Sequence, residues 1–461
     1  MFSRDIQWSG RPWPAVLLWL SLSGCGVDAV RQSVDVGHPE QWAAADGSSQ
    51  STIERWAVTL NDPQLTALLD ETLQHNYDLK AAAARVKVAG ETVNIVGSAR
   101  LPQLNFIPGY QRGKISGAGQ GGDHGGAFNA LFSASWELDV WGRIQAAQQS
   151  ARQEADALAA DYRSARLSLA ARTAQVYFEL AEARLQSEVA TQSVKDRTVI
   201  VDLIRGRFNR GLTRGLDLRL ALTDLADAEA QLASARNRVQ IAARLLDVLL
   251  GRYPDAGLVD QARFAELPPP VAAGLPSELL KRRPDIIAAL ERLRAADSRL
   301  ESAEKALLPR IALTASGGTG SPALAELIDP RAAAWNVAMG LLQPVFTGGR
   351  LQAQIRLNEA EVEAALADYQ GIALNAFREV EQTLAAEAWL RNQEKALKEA
   401  VEQTQASRKL AVYSYQQGLI EILTLLDSYR SALSAQSAHL AVQRQLLNNR
   451  VELYLALGGA V

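Results

Sequence analysis

The chain has 461 residues, 48% of them hydrophobic, and a formal net charge of −3, which describes a folded protein rather than a disordered one. A near-neutral charge gives no electrostatic footprint for nucleic acid. The single cysteine excludes an internal disulfide, and no run of 18 apolar residues exists to span a bilayer as a helix.

Residues 1–24 read as a signal peptide. Arg4 and Arg11 precede a short apolar core from Trp13 to Leu22, and Leu22-Ser23-Gly24-Cys25 places the cysteine directly after two small residues. That box resembles a bacterial lipoprotein cleavage site, and the resemblance implies a lipidated Cys25. Acylation at more than one position anchors a protein stably. Gly26 follows where an inner-membrane retention signal would have Asp, which points to the outer membrane. Residues 25–60 are expected to be a polar, lipid-anchored linker.

The first structured repeat is expected over 61–252. Asp62-Pro63 opens a helix to about residue 100, because Pro is tolerated in a first turn. A hairpin follows over 101–140. Its second strand alternates strictly: Phe132, Ala134, Trp136, Leu138 and Val140 on one face, Ser133, Ser135, Glu137 and Asp139 on the other. After Trp141-Gly142-Arg143 a long helix is expected over 143–205, a turn over 206–215 and a return helix over 217–250. Residues 253–276, with Pro268-Pro269-Pro270, form a linker.

Then the pattern restarts over 277–461. Asp78/Asp285, Pro102/Pro309, Arg143/Arg350, Gly211/Gly418 and Gly251/Gly458 are all separated by 207 positions. The second unit therefore carries a helix over 277–307, a hairpin over 308–347, a long helix over 350–412 and a return helix over 419–457. Each long helix would run about 95 Å at 1.5 Å per residue, and two shorter helices stacked end to end would match it. The fold class is thus mainly α with membrane β: a tandem-repeat α-barrel with four strands per protomer.

Ten-residue strands suit a tilted crossing of the hydrocarbon layer, but open edges are forbidden there, and four strands cannot close. Three chains sharing one barrel would supply twelve. Trp136, Trp141 and Trp335 sit near strand ends, where interfacial aromatics belong, and Ser133, Ser135, Thr314, Ser316 and Asn336 would face a wet lumen.

Asp62-Pro63-Gln64-Leu65, Asn76-Tyr77-Asp78-Leu79, Arg283-Pro284-Asp285-Ile286, Pro344-Val345-Phe346-Thr347-Gly348-Gly349-Arg350 and Phe377-Arg378-Glu379-Val380-Glu381 resemble the TolC-like outer-membrane efflux family. The nearest branch is the lipoprotein (NodT or OprM type) serving resistance-nodulation-division pumps. The resemblance covers about Trp56 to Gly459. It implies a homotrimer with a twelve-stranded barrel in outer-membrane lipid and a periplasmic α-barrel. It also implies export of drugs or other small molecules, and docking to a periplasmic adaptor (membrane fusion) protein and an inner-membrane pump. Such channels close beside their periplasmic helix turns. The matching stretches make Asp427 and Arg430 the first gate candidates, three apart on one helix face, with Asp217 and Arg219 next. Leu212 and Leu419, beside turn glycines, are the adaptor-contact candidates.

Other signals carry no chemistry. Gly117, Gly119 and Gly122 fit GxGxxG but lie in a hairpin loop without the helix a dinucleotide site needs. The four histidines lack ligand spacing, Glu379 and Glu381 point to different helix faces, and no nucleophile–base set is visible. The chain reads as a passive duct, without cofactor or metal and not an enzyme. Type I protein secretion on the same scaffold is the alternative, and a periplasmic coiled-coil adaptor or scaffold the alternative of a different class.

Overall fold

The computed structural model describes residues 37, 39, 41–44, 56–114, 124–257, 264–269, 271 and 274–459. Cys25 and the glycine-rich loop at 115–123 lie outside the described residues. The helices are α1 (Trp56–Thr59), α2 (Pro63–His75), α3 (Tyr77–Ser98), α4 (Arg143–Asn209), α5 (Gly215–Leu249), α6 (Pro276–Arg282), α7 (Pro284–Lys305), α8 (Arg350–Gln416) and α9 (Ile422–Ala456). The strands are β1 (Gln103–Lys114), β2 (His124–Leu138), β3 (Arg310–Ser321) and β4 (Ala333–Leu342). The duplication shows in the lengths: α4 and α8 have 67 residues each, α5 and α9 have 35, α3 and α7 have 22. Sixty-seven residues make a helix of about 100 Å.

Several boundaries differ from the sequence expectation. The helix expected over 63–100 is broken at Asn76, whose side chain caps α3 by accepting from Leu79 N at 3.1 Å. The helix expected over 277–307 is broken at Arg283 by Pro284, which lacks the amide a continuing helix needs. Gly206 does not open a turn: the long helix runs on to Asn209, and α8 likewise reaches Gln416 instead of ending near 412. A single glycine costs a 67-residue helix only about 1 kcal/mol, too little to end it against tertiary packing.

Both breaks serve one purpose. Asn76 Nδ2 donates to Leu249 O at 3.0 Å, so the end of α5 docks where α2 meets α3. In the second unit Arg283 Nη1 donates to Ala456 O at 3.2 Å, joining α9 to the α6–α7 break. Two composite columns result, α3 with α5 and α7 with α9, alternating with the continuous α4 and α8. Near the strands the packing order is α3–α4–α7–α8, and toward the far turns it is α5–α4–α9–α8.

The sheet repeats this order. It is antiparallel throughout, β1-β2-β3-β4, and β2 pairs with β3 as well as within its own hairpin. Each strand adjoins its column: β1 follows α3, β2 precedes α4, β3 follows α7 and β4 precedes α8. The register also keeps the two faces separate. Phe106 opposes Phe132, Trp136 opposes Leu313, and Leu313 opposes Met339, while Ser133 opposes Ser316 and Ser316 opposes Asn336. Phe106/Phe132 and Tyr110/Phe128 pack with tilted rings on the apolar face, centroids 4.8 and 4.6 Å apart. Phe106, Phe132, Trp335, Met339 and Leu341 are all solvent-exposed in the single chain, the pattern of a face made for lipid.

The strand-to-helix joint is built around Gly142, at φ 74°, a conformation that a β-carbon penalises. A glycine cannot cap the helix it starts, so Asp139 does: its carboxylate accepts from Ile144 N at 2.9 Å and Gln145 N at 2.7 Å. Trp136 Nε1 donates to Arg100 O and Trp141 Nε1 to Pro309 O, each at 2.8 Å, tying the joint to the starts of β1 and β3. At the same 207 offset Gln343 Nε2 donates to Leu307 O at 3.0 Å, so the repeat keeps the bond with a different side chain. The main apolar core lies at the waist, where Trp56, Leu65, Leu69, Tyr177, Phe178, Leu246, Leu250, Val451 and Tyr454 are buried.

Candidate export tunnel and its periplasmic closure

The two helical hairpins, α4–α5 and α8–α9, end in equivalent turns. Gly211 N donates to Phe208 O and Leu212 N to Arg207 O. Gly418 N and Leu419 N bond to Tyr415 O and Ser414 O in the same way. Both are Schellman closures, with the glycines at φ 71° and 73°. The residue after each glycine is thereby thrust outward, and Leu212 and Leu419 are 61% and 72% exposed at the tips.

Just above the turns a small apolar cluster joins the hairpins through Ile200, Val201, Ile204, Ala221, Tyr415, Ile422, Leu425 and Leu426. Next to it lies a charged clasp of which the sequence singled out only Arg430. Asp224 of α5 is buried and bridges two arginines: Arg197 Nε of α4 at 2.7 Å, and Arg430 of α9 at 2.8 Å. Asp196 of α4 pairs with Arg408 of α8 at 2.5 Å, and the Arg408 guanidinium lies 5.2 Å from the Tyr429 ring centroid. Burial pushes the Tyr429 hydroxyl above its ordinary value, keeping it neutral over the physiological range.

The four gate candidates separate here. Arg430 faces Asp224, not Asp427. Asp427 is exposed one turn nearer the tip and has no ion pair among the described residues. Asp217 caps α5, accepting from Thr213 Oγ1 at 2.5 Å and Arg214 N at 3.2 Å, and Arg219 is exposed. The i,i+3 spacing of Asp427 and Arg430 gave a shared face. Neither Asp224 nor Arg197 stands out in sequence, because each is one charge among many on a long helix. Only the packing of α4 on α5 and α9 buries them. Of the three tryptophans, Trp136 and Trp141 lie at the tunnel end of the sheet. Trp335, 83% exposed, lies toward the opposite end, level with Gly317.

One chain leaves two open edges among its described residues: β4 with α8 on one side, and β1 with α3 and α5 on the other. Because the strand order and column order agree, both layers close in the same rotational sense. Twelve columns spaced about 9 Å apart would enclose a bore of roughly 20 Å after subtracting the helices.

The outer membrane efflux protein profile matches residues 68–252 and 275–459, and the two matches begin and end 207 positions apart. The chain belongs to the outer membrane efflux protein family. It is 32% identical over 454 residues to the pyoverdine export outer membrane protein OpmQ of Pseudomonas putida, covering 96% of each chain. With outer membrane protein OprJ of Pseudomonas aeruginosa it shares 31% over 457 residues, 96% of this chain and 95% of that one. Among solved structures the outer-membrane channel OprN superposes with a TM-score of 0.85 at 26% identity, covering 92% of this chain and 98% of that one. The family and these relatives are channel and transport proteins. This chain is therefore the outer-membrane channel component of a tripartite efflux system. Three copies complete a twelve-stranded barrel in the outer membrane of a Gram-negative bacterium, over a large periplasmic α-barrel. The coiled-coil scaffold alternative does not account for a continuous four-stranded sheet with one apolar face.

Proposed function

We propose that the trimer is a passive exit duct for small organic molecules, held shut at its periplasmic tips by the charged clasp and anchored by lipid on Cys25. The observation that carries the closure is the Asp224–Arg430 pair. Arg197 and Asp224 belong to the same hairpin, whereas Arg430 and Arg408 reach across to the other, so of these three ion pairs the last two must break when the hairpins part. Asp427, unpaired and nearer the tip, supplies one carboxylate per chain to a threefold ring, which would favour cations at the entrance.

The exposed Leu212 and Leu419 form the contact for a periplasmic adaptor, which in turn couples the duct to an inner-membrane pump. Trp141 and Trp136 at the tunnel end of the sheet and Trp335 toward the other end mark the two membrane interfaces. The lipid anchor has the reach it needs. Ala43 N and Ala44 N donate to the Glu381 carboxylate at 2.7 and 2.9 Å, and Trp42 packs edge-on against Phe377. Glu381 lies about 45 Å down α8 from the barrel joint at Arg350. The 17 steps from Cys25 to Trp42 can span about 56 Å extended. The duct is tested by reconstituting the purified trimer in planar bilayers. A closed, cation-preferring channel that opens when Arg430 and Arg408 are both replaced by Ala supports the proposal. A double variant that still does not conduct refutes it.

A further inference from the structure

The wall of α3, α4, α7 and α8 contains a groove of about 760 Å³ just below the barrel joint. That volume is in the range of pockets that hold drug-sized molecules. Its floor is made of small and apolar side chains, Ala151, Ala303 and Leu158 among them. A groove touching four side-by-side columns of a ring can only lie on the concave face. An independent contact agrees. Arg143 lines the groove and bonds Glu137 at 2.9 Å, and Glu137 shares its strand face with Ser133 and Ser135, the polar face that lines the lumen.

The charges around the groove are not equivalent. Arg143 is neutralised by Glu137, and Arg299 faces Glu361 at 3.5 Å. Arg85 on α3 and Glu154 on α4 also line it, and neither has an ion pair among the described residues. An apolar floor with one uncommitted guanidinium and one uncommitted, half-buried carboxylate is complementary to a solute with an apolar body, an ammonium and a carboxylate. A hydrophobic cation would leave Arg85 unused, and a hydrophobic anion would leave Glu154 unused.

We propose that this groove is a transit subsite for amphipathic zwitterions in the lumen wall. Its affinity must be modest, since a duct conducts only if a bound solute also leaves. The inference rests on the duct reading, because the concave face must be the export path.

Three dansyl probes with the same aromatic body make the test: Nε-dansyl-lysine (ammonium and carboxylate), dansylcadaverine (ammonium only) and dansylglycine (carboxylate only). Each is titrated by fluorescence against the full-length detergent-solubilised trimer, with light scattering to establish assembly. Dansyl-lysine should bind tightest. Ala151→Trp, which fills the floor, should abolish saturable binding of all three. Glu154→Gln should weaken dansyl-lysine and dansylcadaverine by about fivefold and spare dansylglycine, and Arg85→Gln should do the converse. Absence of saturable binding, equal affinity for the three probes, or a dansyl-lysine affinity indifferent to Glu154→Gln and Arg85→Gln would overturn the subsite. Bilayer conductance of the same preparation separates this failure from failure of the duct itself.

Discussion

Replacing Arg430 with Ala tests the clasp at its weakest arm. The Arg430 side chain is 58% exposed, while Asp224 and Arg197 are 3% and 5% exposed. An ion pair with one exposed partner contributes about 0.2–1 kcal/mol. Asp224 stays neutralised by Arg197, so no buried charge is stranded and the fold survives. If the three subunits open together, the closed state loses about 0.6–3 kcal/mol, and the open-to-closed ratio rises between about threefold and about 150-fold. Adding Arg408→Ala removes the second cross-hairpin arm and should raise open probability further. Asp224→Ala must behave differently. It leaves Arg197 buried without its carboxylate, a loss of about 3–5 kcal/mol, and should appear first as a lower melting temperature. Single-channel recording with parallel thermal unfolding distinguishes the two. If Arg430→Ala together with Arg408→Ala gives the wild-type open probability, the clasp does not hold the duct closed.

Other perturbations address other parts of the chain. Gly318→Ala should prevent assembly of the sheet, because the added carbon would lie 2.1 Å from Ala130 O and 2.8 Å from Leu131 Cα; a heat-stable trimer on native gels would contradict the β2–β3 register. Cys25→Ala should abolish palmitate labelling of the envelope protein, and unchanged labelling would remove the lipid anchor. Asp427→Asn should reduce cation preference measured as reversal potential in a salt gradient, and an unshifted potential would take Asp427 out of the pore. Burial raises the Glu452 carboxyl above its ordinary 4.5. The native state therefore binds that proton more tightly than the unfolded chain, and stability is lost as pH rises from about 4.5 through the native value. Because the Glu452 side chain is still solvent-exposed, the effect is small: Glu452→Gln should raise the melting temperature slightly at pH 7.5 and leave it unchanged well below pH 4.5; equal shifts at both pH values would refute this.

What the sequence could show follows from which signals are periodic. The strand faces are legible because alternation has a period of exactly two, and the 207-residue offset preserves its phase through both units. The joint is legible at Gly142 and Gly349, since a positive φ almost dictates the residue. The column breaks at Asn76 and Arg283 were not, because a good N-cap inside a helical pattern is silent until the end of another helix docks on it. The clasp was hidden for a related reason. Arg197 and Asp224 come from two helices, and burial distinguishes them from neighbouring solvated charges only after α5 and α9 pack on α4; Arg430, a candidate from the sequence, shows its partner only then. The second, β2–β3 pairing also has no local signature, since the two strands lie on either side of more than 170 residues.

The waist and the tip differ in how much apolar area joins the hairpins, and only at the tip do ion pairs carry a large share of the joint. At the waist, Trp56, Phe178, Leu246 and Tyr454 are almost wholly buried, and parting such surfaces exposes apolar area at about 25 cal/mol per Å². A closure built that way would stay shut. At the tip the apolar cluster around Ile204 and Leu425 is smaller than the core at the waist, and beside it the hairpins are joined by Asp224–Arg430 and Asp196–Arg408, which water can replace when they separate. The permanent part of the bond, Arg197 with Asp224, stays inside one hairpin and moves with it. A buried ion pair is a poor source of net stability but a good source of register. Here it would hold Asp224 in place so that Arg430 returns to the same partner on each closure. The prediction that separates the two roles is reversibility. Arg430→Lys keeps the charge but not the planar guanidinium geometry, and should still close, with a shorter closed dwell time in single-channel records. If Arg430→Lys is instead as open as Arg430→Ala, geometry rather than charge carries the arm, and the electrostatic account of the closure is wrong.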